Sequence, residues 1–271
     1  MNLVVQSISY TYPSGVQALK EVSLEIPSGQ CVAIVGENGA GKSTLVKHFN
    51  GLLRPDSGQI QVGDWESSQV TTAQLARRVA FLFQNPDEQL FERSIYREVA
   101  FGPRNLGLDE AEVRQRVESA LEQVGLLSEQ EKHPYDLPYT QRKLIALAAT
   151  LAMQTPILVL DEPTVGQDAG VQRMIAELID GLIAEKRSVI LITHDLDFCA
   201  EVAERVIVME GGRILLDAPT AEALKQTAIL NQAAVDAPQI VRLAQAIEMP
   251  QSPLTIAGFV EEYAQWKKDS K

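Results

Sequence analysis

The sequence predicts an α/β fold on a mostly parallel central sheet, with an antiparallel β subdomain and an inserted helical subdomain. Three observations carry this prediction. Four continuous apolar runs, 31–35 (CVAIV), 79–83 (VAFLF), 157–160 (ILVL) and 189–192 (VILI), suit strands buried on both faces. Helical patterns at 42–53, 109–124, 141–153, 169–186 and 196–204 alternate with those runs, as a parallel sheet requires. Residues 3–8 (LVVQSI) and 22–26 (VSLEI) instead alternate apolar with polar, the pattern of antiparallel strands with one wet face.

The remaining segments fall into place around that frame. RVIVMEGGRILLDA (205–218) reads as a hairpin turning at Gly211-Gly212. Residues 86–153 carry helices and loops but no clear strand, so they form the insertion between two sheet strands. Residues 219–271 also lack strand signals; APTAEALKQ, PQIVRLAQAIE and LTIAGFVEEYAQWKK each read as a short amphipathic helix. The boundaries are a main domain over 1–220 and a helical extension over 221–271, with no internal repeat.

Composition narrows the partners. The 271 residues hold 36 acidic and 24 basic side chains, a net charge of −12, which argues against a general grip on nucleic acid or anionic lipid. The longest charge-free stretch, 144–160, is 17 residues and is broken by Gln154 and Pro156, too short to span a bilayer. The N-terminus lacks the basic start and apolar stretch of a signal peptide. Cys31 and Cys199 form no CxxC pair, and a reducing cytosol is the simplest setting.

Residues 36–44, GENGAGKST, satisfy G-x-x-x-x-G-K-[ST] between a buried strand and a helix, the context of a P-loop NTPase. Gly36, Gly39 and Gly41 permit unusual backbone angles and close approach. The N–H groups of the loop, through Glu37, Asn38 and Ala40 to Thr44, would surround an anionic phosphate at the helix N-terminus. Lys42 is expected to reach the outer phosphates and Ser43 to bind Mg²⁺.

ILVLDE (157–162) ends a buried strand in two carboxylates, at the ligand edge of an α/β sheet. Asp161 is expected to hold Mg²⁺, and Glu162 to orient or deprotonate the water attacking a γ-phosphate. VILITHD (189–195) sets His194 on the same edge, where a neutral imidazole could meet the γ-phosphate. Gln84 ends the strand 79–83 on that edge too, within reach of Mg²⁺ or the water.

The set GENGAGKST, Gln84, a helical segment, LVLDEPT, Asp168 and THD resembles the nucleotide-binding subunit of ATP-binding cassette transporters, over roughly residues 1–220. The resemblance implies an ATPase using ATP and Mg²⁺, in a dimer that sandwiches each nucleotide between one chain's phosphate loop and the other's signature motif. It also implies an aromatic stacked on adenine, for which Tyr12 matches better than Tyr10. FQNPDEQLF (83–91), EVAFGPRNLGL (98–108) and the tail from Pro238 are similar to the ATPases of energy-coupling factor transporters, which include cobalt, nickel and vitamin uptake systems. That implies a peripheral place on the cytoplasmic face of the membrane. It implies a transmembrane subunit docking near residues 84–102 and a separate substrate-binding membrane component. Pro86, Asp87, Gln89 and Phe91 are the candidate groove and switch residues. The alternatives are a non-transport cassette ATPase or a regulatory ATP-binding subunit with little hydrolysis.

The chain departs from the family at its signature. Where the family has L-S-G-G-Q, this sequence has Leu137-Pro138-Tyr139-Thr140-Gln141. A hydroxyl and an N–H are lost at Pro138, and side chains replace two glycines, so a poor γ-phosphate clamp is expected. A homodimer would carry two such clamps, so a heterodimer with a second, related ATPase is favoured.

Overall fold

The computed structural model describes residues 1–250 and 253–269. β1 (Leu3–Thr11) and β2 (Gln17–Ile26) open the chain, followed by β3 (Cys31–Val35), α1 (Lys42–Phe49), β4 (Ser57–Val62), β5 (Trp65–Glu66), α2 (Thr72–Leu75) and β6 (Val79–Leu82). Three helices follow without a strand: α3 (Ile95–Asn105), α4 (Glu110–Gln123) and α5 (Tyr139–Ala152). The chain returns through β7 (Ile157–Asp161), α6 (Ala169–Ala184), β8 (Ser188–Ile192), α7 (Leu196–Val202), β9 (Arg205–Glu210) and β10 (Arg213–Pro219). The tail carries α8 (Thr220–Ala223), α9 (Thr227–Gln232), α10 (Gln239–Ala246) and α11 (Ile256–Asp269).

The central sheet has six strands in the order β10-β9-β3-β8-β7-β6. All neighbours are parallel except β9 and β10, the hairpin that turns at Gly211-Gly212. The front sheet is antiparallel in the order β2-β1-β4-β5. Every residue of β3, β6, β7 and β8 is buried, as their unbroken apolar runs require. Their side chains alternate between two apolar layers. Val32, Ile34, Val159 and Ile190 face the front sheet and α1, where Leu45, Phe49 and Ile60 are fully buried. Cys31, Ala33, Leu160 and Leu191 face the other way, into a larger cluster with α3 to α7. Each fully buried Leu, Ile or Phe in these layers contributes about 1.5–3 kcal/mol by leaving water.

β4 and α3 are the longest elements outside the segments read from the sequence, which also miss the short β5, α2 and α9. β4 has only Ile60 and Val62 facing inward, and its outward residues are polar, so its alternation is short. α3 contains Gly102 and Pro103, yet Ile95, Val99 and Pro103 fall four apart and are buried together. That apolar stripe holds the helix despite the N–H missing at Pro103. α1 stops at Phe49, four residues short of the periodic pattern, with Asn50 as its C-cap. In the tail, Ala223, Leu224, Leu230, Ala233, Val235 and Ala237 pack into the same large cluster as the central sheet. Among the described residues, no helix is long and apolar enough to cross a membrane.

Candidate functional site

Parallel register carries four strand ends to one edge of the sheet. Ile34 pairs with Ile192, Asp161 with Ile192, and Leu160 with Leu82. The residues that follow these strands, 36–44, Gln84, Glu162 and His194, therefore share that edge, as their positions after apolar runs predict.

The loop between β3 and α1 is shaped by close backbone approaches. A Cβ on Gly36, at φ +148°, would lie 2.1 Å from the Met209 carbonyl oxygen, and one on Gly41, at φ +102°, 2.6 Å from that of Ala18. Gly41 caps α1 without a side-chain bond, which leaves the first N–H groups of the helix for a ligand. Glu37, Asn38 and Gly39 crown the loop in solvent, and Ala40 is buried beneath them. Lys42 folds back into the loop: its Nζ donates to the carbonyls of Gly36 (2.7 Å) and Glu37 (2.8 Å). Burial lowers the Lys42 pKa, opposed by the nearby Glu162, Asp161 and Glu37. This ammonium stands between a ring of N–H donors and two carboxylates, where a polyphosphate would replace its backbone partners.

Asp161 closes β7 and is almost fully buried. Burial pushes its carboxyl above the usual range, a hydrogen bond with Ser43 opposes this, and Glu162 adds to it. Among the described residues, no group of three or more His, Cys, Asp or Glu side chains is arranged to hold a metal ion. Ser43, just past the loop on α1, and Asp161, at the end of β7, are hydrogen-bonded and form an oxygen pair beside that loop. That donor set fits Mg²⁺, which binds one or two protein oxygens and completes its shell with water and phosphate.

Glu162 is held tightly. Its backbone is left-handed, at φ +52°. Its N–H donates to the Ile192 carbonyl at 2.8 Å, and its own carbonyl accepts from Lys143 Nζ at 2.6 Å. Its Oε1 lies 3.0 Å from His194 Nδ1, while Oε2 is buried with no partner. The His194 side chain is 69% exposed and that of Glu162 10%. An unpartnered buried carboxylate oxygen at this edge has capacity to accept a hydrogen bond from a water. Gln84 is exposed at the end of β6.

Tyr12 lies over the other side of α1. Its hydroxyl is 2.9 Å from Thr44 Oγ1, and Tyr10 meets it edge-on with ring centres 5.0 Å apart. Tyr10 in turn packs on His48, so Tyr12 is the outer member of this aromatic group.

The groove candidates divide. Phe91 is 61% exposed and packs edge-to-face on Phe101 at 4.8 Å. Pro86 is buried, and Gln89 is an internal strut, accepting from Phe83 N (3.3 Å) and donating to the Ala146 carbonyl (3.1 Å). Asp87 is paired with Arg142 at 2.8 Å. Asp87 and Gln89 thus tie this segment to α5. A cavity of about 500 Å³ lies further along, between Ala76, Arg77, Phe101, Leu106 and Met153.

The signature stretch opens α5, with Pro138 as its N-cap and no side-chain cap bond. The Tyr139 ring covers its own helix's Arg142, with the guanidinium 5.6 Å from its centre and 5.0 Å from that of Tyr135. Gln167 Nε2 donates to the Thr140 carbonyl at 3.0 Å, and Asp168 caps α6 by accepting from Val171 N. Lys143 was missed by sequence reasoning. The available signal was a lysine on the apolar face of α5, beside Leu144 and Leu147 and almost fully buried.

Comparisons with known proteins place this geometry. The ABC transporter family model matches residues 19–165. A cobalt import ATP-binding protein of Rhodobacter capsulatus is 38% identical over 89% of the chain and 87% of its own length. An energy-coupling factor transporter ATP-binding protein of Methanospirillum hungatei is 38% identical over 89% of the chain and 88% of its own length. The chain spans only 40% of the length of an ABC transporter ATP-binding protein of Methanosarcina acetivorans that is 42% identical over 90% of the chain. The structure of cbiO1 from Clostridium perfringens, part of the ABC transporter complex cbiONQ, superposes with a TM-score of 0.72 at 33% identity, covering 91% of this chain and 98% of that one. With a phosphate loop, paired carboxylates and an edge histidine on one sheet, the chain belongs to the ATP-binding cassette transporter family.

Proposed function

We propose that the chain binds ATP with Mg²⁺ at the loop 36–44 and hydrolyses it to energise import of a small substrate, a metal ion or a vitamin, through separate membrane subunits. The observation that carries this reading is Glu162, with its free buried Oε2 and its Oε1 against His194, beside the loop of Lys42. On ATP binding, Lys42 exchanges its two carbonyl partners for phosphate oxygens. Glu162 accepts a proton from water as the water oxygen attacks the γ-phosphorus and the bond to ADP breaks. His194 orients that water and the γ-phosphate, Gln84 would reach Mg²⁺ or the water, and Tyr12 stacks on adenine. Bound Mg²⁺, held through Ser43 and Asp161, would neutralise phosphate charge. Replacing Glu162 with Gln should keep ATP affinity and lower single-turnover hydrolysis by about 10²-fold or more, measured on the assembled complex. Native turnover in that variant would refute the reading.

The partners are proposed on the same footing. The exposed Phe91–Phe101 pair and the adjoining cavity support a docking surface for a short helix of a transmembrane subunit, at the cytoplasmic face of the membrane. The relatives named for cobalt import and energy coupling favour a metal or vitamin cargo delivered by a further membrane component. Pro138, Tyr139 and Thr140 at the head of α5 favour a second, related ATPase as the dimer partner, supplying a complete signature to this chain's ATP. They also lend some support to a regulatory subunit with little hydrolysis, against which Glu162 argues, and the Glu162 variant separates the two, since a pure binder would be little changed by it. Residues 221–271 we assign to a helical extension that aids dimerisation, supported by the exposed Leu243, Ile256 and Val260.

A further inference from the structure

Glu162 holds a left-handed backbone, at φ +52°, that few non-glycine residues adopt. One constraint is the Ile192 carbonyl, which takes its N–H. The other comes from outside the sheet edge. Lys143, on the first turns of α5, reaches across and donates to the Glu162 carbonyl at 2.6 Å and to the Val165 carbonyl at 3.0 Å. One ammonium therefore ties both ends of the segment 162–165 to the signature helix. Lys143 is only 3% exposed among leucines and alanines, a costly place for a charge unless its donors are used. Gln167 adds a parallel strap, Nε2 to the Thr140 carbonyl, from the same segment to the same helix.

We infer that Lys143 is a positioning residue for hydrolysis: it fixes the backbone of Glu162 and thereby aims the carboxylate at the attacking water. The inference rests on the reading of Glu162 as the group that handles that water. It makes α5 a lever. Any displacement of the signature helix, which faces the partner's nucleotide in the proposed dimer, reaches this chain's own carboxylate through one side chain. The Lys143 ammonium touches neither nucleotide nor water in this role, and acts only through the backbone of residues 162–165.

The test compares Lys143→Met, which keeps the length and removes the donors, with Lys143→Arg, which keeps donors at the same place. Amide hydrogen exchange of the full chain reads the segment directly. In Lys143→Met, amides of residues 162–167 should exchange about tenfold faster or more, while β7 and α5 keep native protection. In the assembled complex, Lys143→Met should hydrolyse ATP about 10- to 100-fold more slowly under single turnover with ATP affinity unchanged, because misplacement by about 1 Å costs that much. Lys143→Arg should retain most of the rate. Native exchange at 162–167 with native hydrolysis in Lys143→Met overturns the inference. So does a general rise in exchange through β7 and α5, which marks a merely structural lysine. If Lys143→Met does not fold, a folded Lys143→Arg with native ATP affinity decides: a retained rate supports the inference and a hundredfold loss overturns it. Glu162→Gln serves as control. If it hydrolyses normally, the reading of Glu162 fails; if it is inactive and Lys143→Met is not, only the role of Lys143 fails.

Discussion

His194 Nδ1 sits 3.0 Å from Glu162 Oε1, an exposed imidazole resting on a buried carboxylate. The sequence places both after apolar strands and pairs His194 with the γ-phosphate, not with Glu162. The contact gives the imidazole an anchor, so its other nitrogen can face the nucleotide from a fixed direction. Replacing His194 with Ala removes that anchored donor but leaves the loop 36–44 intact. Single-turnover hydrolysis should fall by about 10²-fold, with ATP affinity within a factor of two or so of native. A fluorescent nucleotide titration beside a quenched-flow rate measurement checks both.

Asp161 yields a prediction on pH. Its carboxyl is raised above the ordinary value, chiefly by burial. A raised carboxyl in the folded state stabilises the fold below its unfolded value, and that advantage is lost as pH rises through the folded value. At pH 7 the ionised Asp161 is therefore a cost to the nucleotide-free chain. Asp161→Asn should raise Tm at pH 7 by about 2–4 °C, while abolishing Mg²⁺-dependent hydrolysis. The Tm difference should shrink as the pH is lowered into the acid range where Asp161 takes up its proton. Calorimetry across pH decides it; an Asp161→Asn chain that melts lower than native at pH 7 contradicts the argument.

The loop glycines make a sharper steric prediction. A Cβ on Gly41 would stand 2.6 Å from the Ala18 carbonyl oxygen, on a backbone at φ +102°. Gly41 directly precedes Lys42, so a loop that yields to the new Cβ shifts Lys42 with it. Gly41→Ala should therefore reduce ATP affinity by at least about tenfold and lower stability by about 1–3 kcal/mol. Gly39, whose Cβ would meet nothing within 4 Å, should tolerate the same change with a smaller stability loss.

How far the sequence could be read depended on whether one segment carried the whole signal. Residues 31–44 and 157–162 did so: each couples a buried strand to its own chemistry, and register then forces the two together. The front strand β4 was not legible, because Gln59 and Gln61 face solvent and the inward pair is too short to show a period. α3 was hidden by Gly102 and Pro103, residues that local rules treat as breakers and packing overrules. The contact of Lys143 with Glu162 crosses 19 residues and two elements, so no local pattern encodes it. The bond from Gln89 to the Ala146 carbonyl was not legible for a related reason: loop composition does not show which side chain reaches the neighbouring helix.

The proposed docking surface rests on exposure. Phe91 and Phe101 stack edge-to-face and remain 61% and 45% exposed, beside a cavity lined by Leu106 and Met153. Paired exposed aromatics of this kind anchor interfaces. Phe101→Ala should weaken assembly with the membrane subunit by about 2 kcal/mol or more, close to thirtyfold in affinity, and leave ATP binding by the chain alone unchanged. Co-purification of the complex from membranes, set beside nucleotide titration of the chain, reads the two effects separately.

The signature supplies the most demanding prediction. Pro138 has no N–H, and Tyr139 and Thr140 place side chains where the family has glycines, so a nucleotide held by a second copy of this chain would meet a blocked helix start. Replacing Pro138, Tyr139 and Thr140 with Ser, Gly and Gly should restore that start. The change has a structural cost: Arg142 loses the Tyr139 ring, and glycines in the first turn weaken the helix by about 1 kcal/mol each. Arg142 keeps Asp87 at 2.8 Å and the Tyr135 ring, so the head of α5 should hold its place. The native chain alone should then show little ATPase, and the triple variant alone about tenfold more or greater, rising with the square of protein concentration as a homodimer forms. Brisk concentration-dependent hydrolysis by the native chain alone would remove the reason for a different partner. A triple variant that dimerises with ATP yet stays inactive would place the defect elsewhere, in the strap from Gln167 to the carbonyl of residue 140.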